Sequence, residues 1–162
     1  MKREIVVSNA GPLIYLSVIH RFSLLGNLFS TLLIPEAVYQ EVVLQGHGQP
    51  GADETKAAIA AGWLCRSSVK DQIAVDALLD ELHAGEAEAI ILARELTISR
   101  VLLDDRAARS KAQLMGLTVT GTVGTLLLAQ QAGVIDDIRP DLDRLVESNF
   151  RISRQLYNQL CG

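Results

Sequence analysis

The chain has 162 residues, 49% of them hydrophobic and 21% charged, enough for a single domain over residues 1–162 with a sizeable core. Its formal charge of −4 argues against a general grip on nucleic acid, although an acidic metal site would add negative charge without touching a binding rim. Two cysteines, Cys65 and Cys161, make neither a disulfide framework nor a zinc spacing. The start, MKREIVVSNAGPLIYL, is too polar for a secretory signal, and no apolar run is long enough to span a membrane. A cytoplasmic protein in a reducing compartment is therefore expected.

Ile5-Val6-Val7 is a β-branched run that reads as a buried strand, broken by Ser8-Asn9-Ala10-Gly11-Pro12. Pro12 suits the first turn of a helix reaching about His20, and FSLLGNLF continues in helical character. Thr31–Ile34 reads as a second strand, and Pro35 opens a helix, EAVYQEVVLQ, with Val38, Val42 and Gln45 on one face and Glu41 beside them. The loop Gly46–Gly51 leads to a helix over Ala52–Ala61, then to a third strand within Trp63–Val69 and a helix over Ala74–Leu82. Leu117–Thr120 gives a further strand, running through Gly121-Thr122-Val123-Gly124 into the helix TLLLAQQAG. Two helices, roughly Leu142–Ser148 and Ser153–Leu160, end the chain. Strands alternate with helices and no two-residue hairpin signal joins them, so a parallel sheet covered on both faces is expected.

The block from Leu82 to Arg109 is the most informative. Glu86, Ala89, Ile90, Ala93 and Leu96 share one face of a helix opposite Arg94 and Glu95. Glu88, about 200° round from Glu86, belongs to the solvent flank. Val101-Leu102-Leu103 reads as a strand covered on both sides, and it stops at Asp104-Asp105, where the next helix begins. Ligands gather at the carboxyl ends of strands in parallel α/β sheets, so an acidic site is one reading. The other is that Asp104 or Asp105 caps the following helix and Glu86 caps its own.

Asn9, Glu41, Glu86, Asp104 and Asp105 converge if the first strand neighbours the one ending at Asp104. Carboxylates crowded in this way repel unless a cation neutralises them. Oxygen-only ligands suit Mg2+ or Mn2+ rather than zinc, and such a centre suits in-line displacement at phosphorus. Rival templates are missing: there is no GxxxxGK[ST], no GxGxxG after the first strand and no GxSxG. His20, His47 and His83 lack an evident nucleophile and read as surface residues.

The segments SNAGPLI, LLIPEAVYQEV, LHAGEAEAIILARE, VLLDDRAAR and VTGTVGTLLLA, in that order, resemble the PIN-domain family. The resemblance spans nearly the whole chain, including the ending NFRISRQLYNQL, and is nearest to small prokaryotic PIN-like proteins. It implies a three-layer α/β/α sandwich with a central parallel sheet. It further implies a metal-dependent nuclease, commonly acting on RNA, and often the toxin of a toxin–antitoxin pair with a partner antitoxin protein. Carried over residue by residue, the family's acidic positions fall on Asn9, Glu41, Glu86 and Asp104, with Asp105 adjacent. Of these, Glu41, Glu86, Asp104 and Asp105 are the expected catalytic residues, and all five positions the expected metal ligands. Thr120 and Thr122 match a hydroxyl-bearing turn near the metal.

Asn9 departs from the pattern. An amide oxygen can ligate Mg2+ but brings no charge and cannot act as a base. A non-catalytic PIN-like module that binds nucleic acid or a protein partner is therefore the alternative to a ribonuclease. Arg106 and Arg109, with Arg100 before the strand, are candidates for a phosphate-holding rim, whereas Lys111 reads as part of a solvated helix face. Arg151 and Arg154 could extend that rim. A homodimer is expected from Ile91, placed on the polar side of its helix, and from the weakly charged TLLLAQQAG.

Overall fold

The structure, a computed structural model, describes residues 3–161; Met1 and Lys2, the start of the segment read against a signal peptide, and Gly162 lie outside them. Five short strands make one sheet: β1 (Ile5–Ser8), β2 (Thr31–Ile34), β3 (Leu64–Arg66), β4 (Arg100–Leu102) and β5 (Thr118–Thr120). Every pairing is parallel and the order is β3-β2-β1-β4-β5, so the first strand is central. The register aligns Arg66 with Ile34, Ser8 with Leu102 and Leu102 with Thr120, and these residues end the strands on one edge. Asn9 and the Asp104-Asp105 pair follow directly from this edge, while Glu41 lies in the helical segment after β2 and Glu86 in the first turn of the helix before β4.

β1 can be central because both of its faces are apolar. Successive side chains point to opposite faces of a strand. Val6 enters one core with Leu13, Leu16, Leu32 and Leu126, while Val7 enters the other with Ile90, Leu92, Val101 and Leu103. Helices α1 (Ala10–Val18), α2 (Ser23–Leu28), α4 (Ala52–Ala61), α8 (Thr122–Gln131) and α9 (Arg139–Glu147) contribute to the first core. Helices α5 (Gln72–Leu78), α6 (Ala84–Glu95) and α7 (Arg106–Leu114) contribute to the second. The result is a three-layer α/β/α sandwich. A last helix, α10 (Arg154–Cys161), lies on α9 through a hydrogen bond from the Tyr157 hydroxyl to Asp143.

Several sequence expectations shift for local reasons. The helix opened by Pro35 is α-helical only over α3 (Glu36–Tyr39) and becomes a π-helix over Gln40–Gln45. The wider π-turn advances fewer degrees per residue, so Val43 turns into the core and Gln45 turns out to solvent. The third strand is confined to Leu64–Arg66, and α5 ends at Leu78, well short of Leu82. Asp71 caps α5 by accepting the Ala74 N–H at 3.0 Å. Ile91 does not sit on an open polar face. It is 5% exposed, because α6 packs against α3, α5 and α7 as well as the sheet. Leu96, expected on the buried stripe, follows the last turn of α6 and is exposed. Among the described residues no helix is long and apolar enough to cross a membrane.

Candidate metal and nucleic-acid site

The β1 and β4 ends set the centre of the site. Asn9 follows β1 in extended conformation, and its N–H donates to the Leu102 carbonyl at 3.0 Å, tying the two strand ends together. Ser8 Oγ donates to the Asn9 carbonyl at 2.9 Å. Asn9 is buried, yet its amide makes no cap hydrogen bond to α1. Its Oδ1 faces the first turn of α6 instead, where a Cβ placed on Gly85 would lie 3.0 Å from Asn9 Oδ1 and 3.5 Å from Glu41 Oε1. Glycine at position 85 thus lets the helix start approach both groups. Glu41 itself sits in the π-turn and is exposed.

Glu86, the next residue, is 6% exposed and points inward, as the helical phase predicts. Its Oε1 accepts the His83 N–H at 3.0 Å, so it also caps its own helix. The capping reading of this residue is realised, and its side chain is turned inward. Burial raises its pKa, the His83 N–H opposes that, and the charges of Asp105 and Glu41 push it further up. Asp105 and Glu41 therefore stand close enough for mutual repulsion with Glu86. Glu88 is not simply solvated: its Oε1 accepts the Ala37 N–H at 3.1 Å and holds α6 to the start of α3.

The acidic pair at the end of β4 divides its work. Asp104 Oδ1 accepts the Thr122 N–H at 2.7 Å and Oδ2 accepts the Thr122 hydroxyl at 2.6 Å. It is wedged between two glycines, since a Cβ on Gly11 would meet Oδ2 at 2.9 Å and one on Gly121 would meet Oδ1 at 2.8 Å. Arg109 Nη1 would lie 3.0 Å from the same point at Gly121, placing its guanidinium beside Asp104. Burial raises the Asp104 pKa against the lowering effects of Thr122 and the Arg109 charge. Asp105 is exposed and caps α7, accepting the Ala108 N–H at 3.0 Å through Oδ2.

The basic and hydroxyl candidates separate in the same way. Arg109 and Thr122 are at the site, and exposed Arg106 begins α7 beside it. Thr120 is engaged elsewhere, its hydroxyl accepting from Arg100 and its methyl facing Gly124. Arg100 starts β4 at the opposite edge of the sheet and pairs with Glu4 at 2.7 Å, so it belongs to no rim. Lys111 pairs with Glu81 at 3.2 Å on the helix surface. Arg151 and Arg154 are exposed next to α10. Sequence reasoning missed Gly11, Gly85 and Gly121. The available signal was a glycine within two residues of Asn9, Glu86 and Thr122.

The donors are oxygen atoms only, three of them mutually repelling carboxylates, with Asn9 Oδ1 among them. In chemistry this set fits a hard divalent cation. Among the described residues no three His, Cys, Asp or Glu side chains close on one point, so holding an ion requires exposed Glu41 and Asp105 to swing inward. Glu41 has the freedom of a surface side chain, whereas Asp105 would offer Oδ1 or give up its hydrogen bond from the Ala108 N–H.

A parallel α/β/α sandwich with carboxylates gathered at the carboxyl ends of β1 and β4 is the architecture of a nuclease-type domain. A family model described as PIN domain matches residues 5–161, and the chain belongs to the PIN-domain family. Among solved structures it is similar to a PilT N-terminus domain protein from the hyperthermophilic archaeon Sulfolobus solfataricus P2. The TM-score is 0.57 at 18% identity, covering 76% of this chain and 91% of that one, a likeness of fold. No curated protein matches the chain.

Proposed function

We propose that this PIN domain is a metal-dependent endoribonuclease that hydrolyses phosphodiester bonds in single-stranded RNA. The observation that carries the reading is the approach of oxygen donors at the start of α6, where Asn9 Oδ1 and Glu41 Oε1 both border Gly85 and the charges of Asp105 and Glu41 bear on Glu86. Asn9 Oδ1, Glu41, Glu86 and Asp105 would hold Mg2+ or Mn2+, with Asp104 fixed at the rim of the same hollow. Such an ion supplies Lewis-acid polarisation of the phosphodiester for in-line displacement. Glu86 keeps Oε1 on the His83 N–H and so has Oε2 for the site. Thr122 holds Asp104 in one orientation, and Arg109 and Arg106 face incoming phosphates from the β4 side. The toxin of a toxin–antitoxin pair, acting as a homodimer and silenced by an antitoxin protein, is the biological setting this reading favours. Buried Ile91 lends the dimer no support, so its face must lie elsewhere.

One feature favours a second reading, a PIN-shaped module that binds RNA without cutting it. The central position is the neutral Asn9, and both Asp104 oxygens already accept hydrogen bonds from Thr122. Incubating the protein with a fluorophore-labelled single-stranded RNA and Mn2+ separates the two. The nuclease reading expects cleavage that EDTA stops and that Glu86→Gln or Asp104→Asn abolishes. RNA bound but left intact under all conditions would establish the binding module instead.

A further inference from the structure

The carboxyl edge of the sheet carries a second feature on the far side of β1 from Arg109. Arg66 ends β3, level in register with Ile34 at the end of β2. Its guanidinium lies flat over the Tyr39 ring, 3.6 Å from the centroid. Glu36 grips the guanidinium edge with two hydrogen bonds, from Nη2 at 2.7 Å and Nε at 3.1 Å. The Arg66 side chain is nonetheless 41% exposed. Tyrosine covers one side of the guanidinium and the carboxylate takes two of its N–H groups, while the side chain stays partly open to solvent. Tyr39 ends α3 and Glu41 lies in the π-turn that continues it, so both features are carried by the segment that follows β2. β3 stands two strand spacings, about 10 Å, from β1.

We infer that the Arg66–Tyr39 stack is a base-stacking platform for the RNA nucleotide on the β3 side of the cleavage point. This rests on the ribonuclease reading above. Two physical points carry it. First, an arginine free to bind phosphate would keep its edge unpaired. Glu36 takes Nε and one N–H of Nη2 and balances the guanidinium charge, so a phosphate would meet a neutral pair while the planar face still suits a base. Second, a chain with a formal charge of −4 cannot rely on a broad electrostatic grip. Stacking on aromatic and guanidinium planes gives affinity for unpaired bases that does not depend on net charge. Tyr39 and Glu36 hold the guanidinium in place beforehand, so little side-chain entropy is lost when a base arrives.

The test uses the whole protein with Ca2+ and a short single-stranded oligoribonucleotide carrying 2-aminopurine, whose emission is quenched on stacking. Wild type should bind and quench. Arg66→Lys keeps the charge but not the plane, and it should lose about tenfold in affinity, with the quench, as fully as Arg66→Gln. The salt dependence of binding should hardly change, because Glu36 already balances the charge. Tyr39→Phe should behave as wild type and Tyr39→Leu should follow Arg66→Lys; the exposed Arg66 variants should melt close to wild type, and Tyr39→Leu, which loses ring packing on the core, is compared at a temperature where its melt shows it folded. Full binding by Arg66→Lys with loss in Arg66→Gln would overturn the platform in favour of a phosphate contact. Unchanged binding by both would overturn the platform and leave the ribonuclease reading standing. Wild type failing to bind RNA at all would overturn both.

Discussion

The two halves of the acidic site are built on opposite principles. On the β4–β5 side, Asp104 is fully engaged: both oxygens accept from Thr122, glycines press on it from two directions, and Arg109 balances its charge. On the β1–α6 side, Asn9 Oδ1 and Glu41 Oε1 border Gly85, and the charges of Asp105 and Glu41 bear on the neighbouring Glu86. One half is a finished anchor, in which each buried polar group has a partner. The other stores electrostatic repulsion that a cation would relieve. On the proposed reading, the β4–β5 half serves as the fixed anchor and the β1–α6 half would receive the cation.

The largest expected effect breaks the anchor. Gly121→Ala places a methyl 2.8 Å from Asp104 Oδ1 and 3.3 Å from the Leu103 carbonyl, neither free to withdraw. It should destabilise the protein by about 2–3 kcal/mol and lower its melting temperature by roughly 5–10 °C in calorimetry. Gly85→Ala meets Asn9 Oδ1 at 3.0 Å and the exposed Glu41 at 3.5 Å. These contacts and Val38 Cγ2 at 3.3 Å need to give by only a few tenths of an ångström, so the cost should be nearer about 1 kcal/mol. Equal losses would mean that the two halves are equally rigid and that the comparison is false.

Thr122→Val should come next. It keeps the N–H to Asp104 and removes the hydroxyl, leaving one oxygen of a buried carboxylate without its donor, at a cost of about 1–2 kcal/mol in a denaturant melt. A smaller effect probes the open half through pH. Burial and the Asp105 and Glu41 charges raise the Glu86 pKa in the fold, so the folded protein holds that proton more tightly than the unfolded chain. The Glu86 contribution is therefore most favourable below its ordinary pKa and is lost as pH rises through the raised value. In metal-free buffer, wild type should gain stability relative to Glu86→Gln as pH falls from 7 toward the ordinary carboxylate range. The gain should be below about 1 kcal/mol, and Mn2+ should abolish it. A stability difference independent of pH would show that Glu86 feels no crowding.

Much of this arrangement is legible in the sequence, and the missing parts share a cause. Strand–helix alternation, with apolar β1 and β4, is enough to place Asn9 and Asp104 at one edge of a parallel sheet. Helical phase is enough to turn Glu86 inward. The capping roles of Glu86 and Asp105 stood as the rival readings, and both caps are present in the structure. Not legible were the contacts that exist only once the layers pack. The double grip of Thr122 on Asp104 spans 18 residues. The burial of Ile91 depends on three neighbouring helices, and the exchange of Gln45 for Val43 depends on a π-turn that no periodicity announces. The Arg66–Tyr39 stack likewise joins two residues whose sequence neighbourhoods carry no common motif.

The central claim is that the β1–α6 half is a cation site short of one charge. Asn9→Asp tests it most directly, read as the change in melting temperature with and without Mn2+. Without metal, a fourth carboxylate beside Glu41, Glu86 and Asp105 adds repulsion, so the variant should melt below wild type. With Mn2+, the added charge should strengthen binding by about 1–3 kcal/mol, and the variant should melt above wild type. The sign of the difference should thus reverse on adding the ion. If Asn9→Asp lowers the melting temperature equally in both buffers, Asn9 is a strand-end hydrogen-bonding residue and the half-site holds no cation.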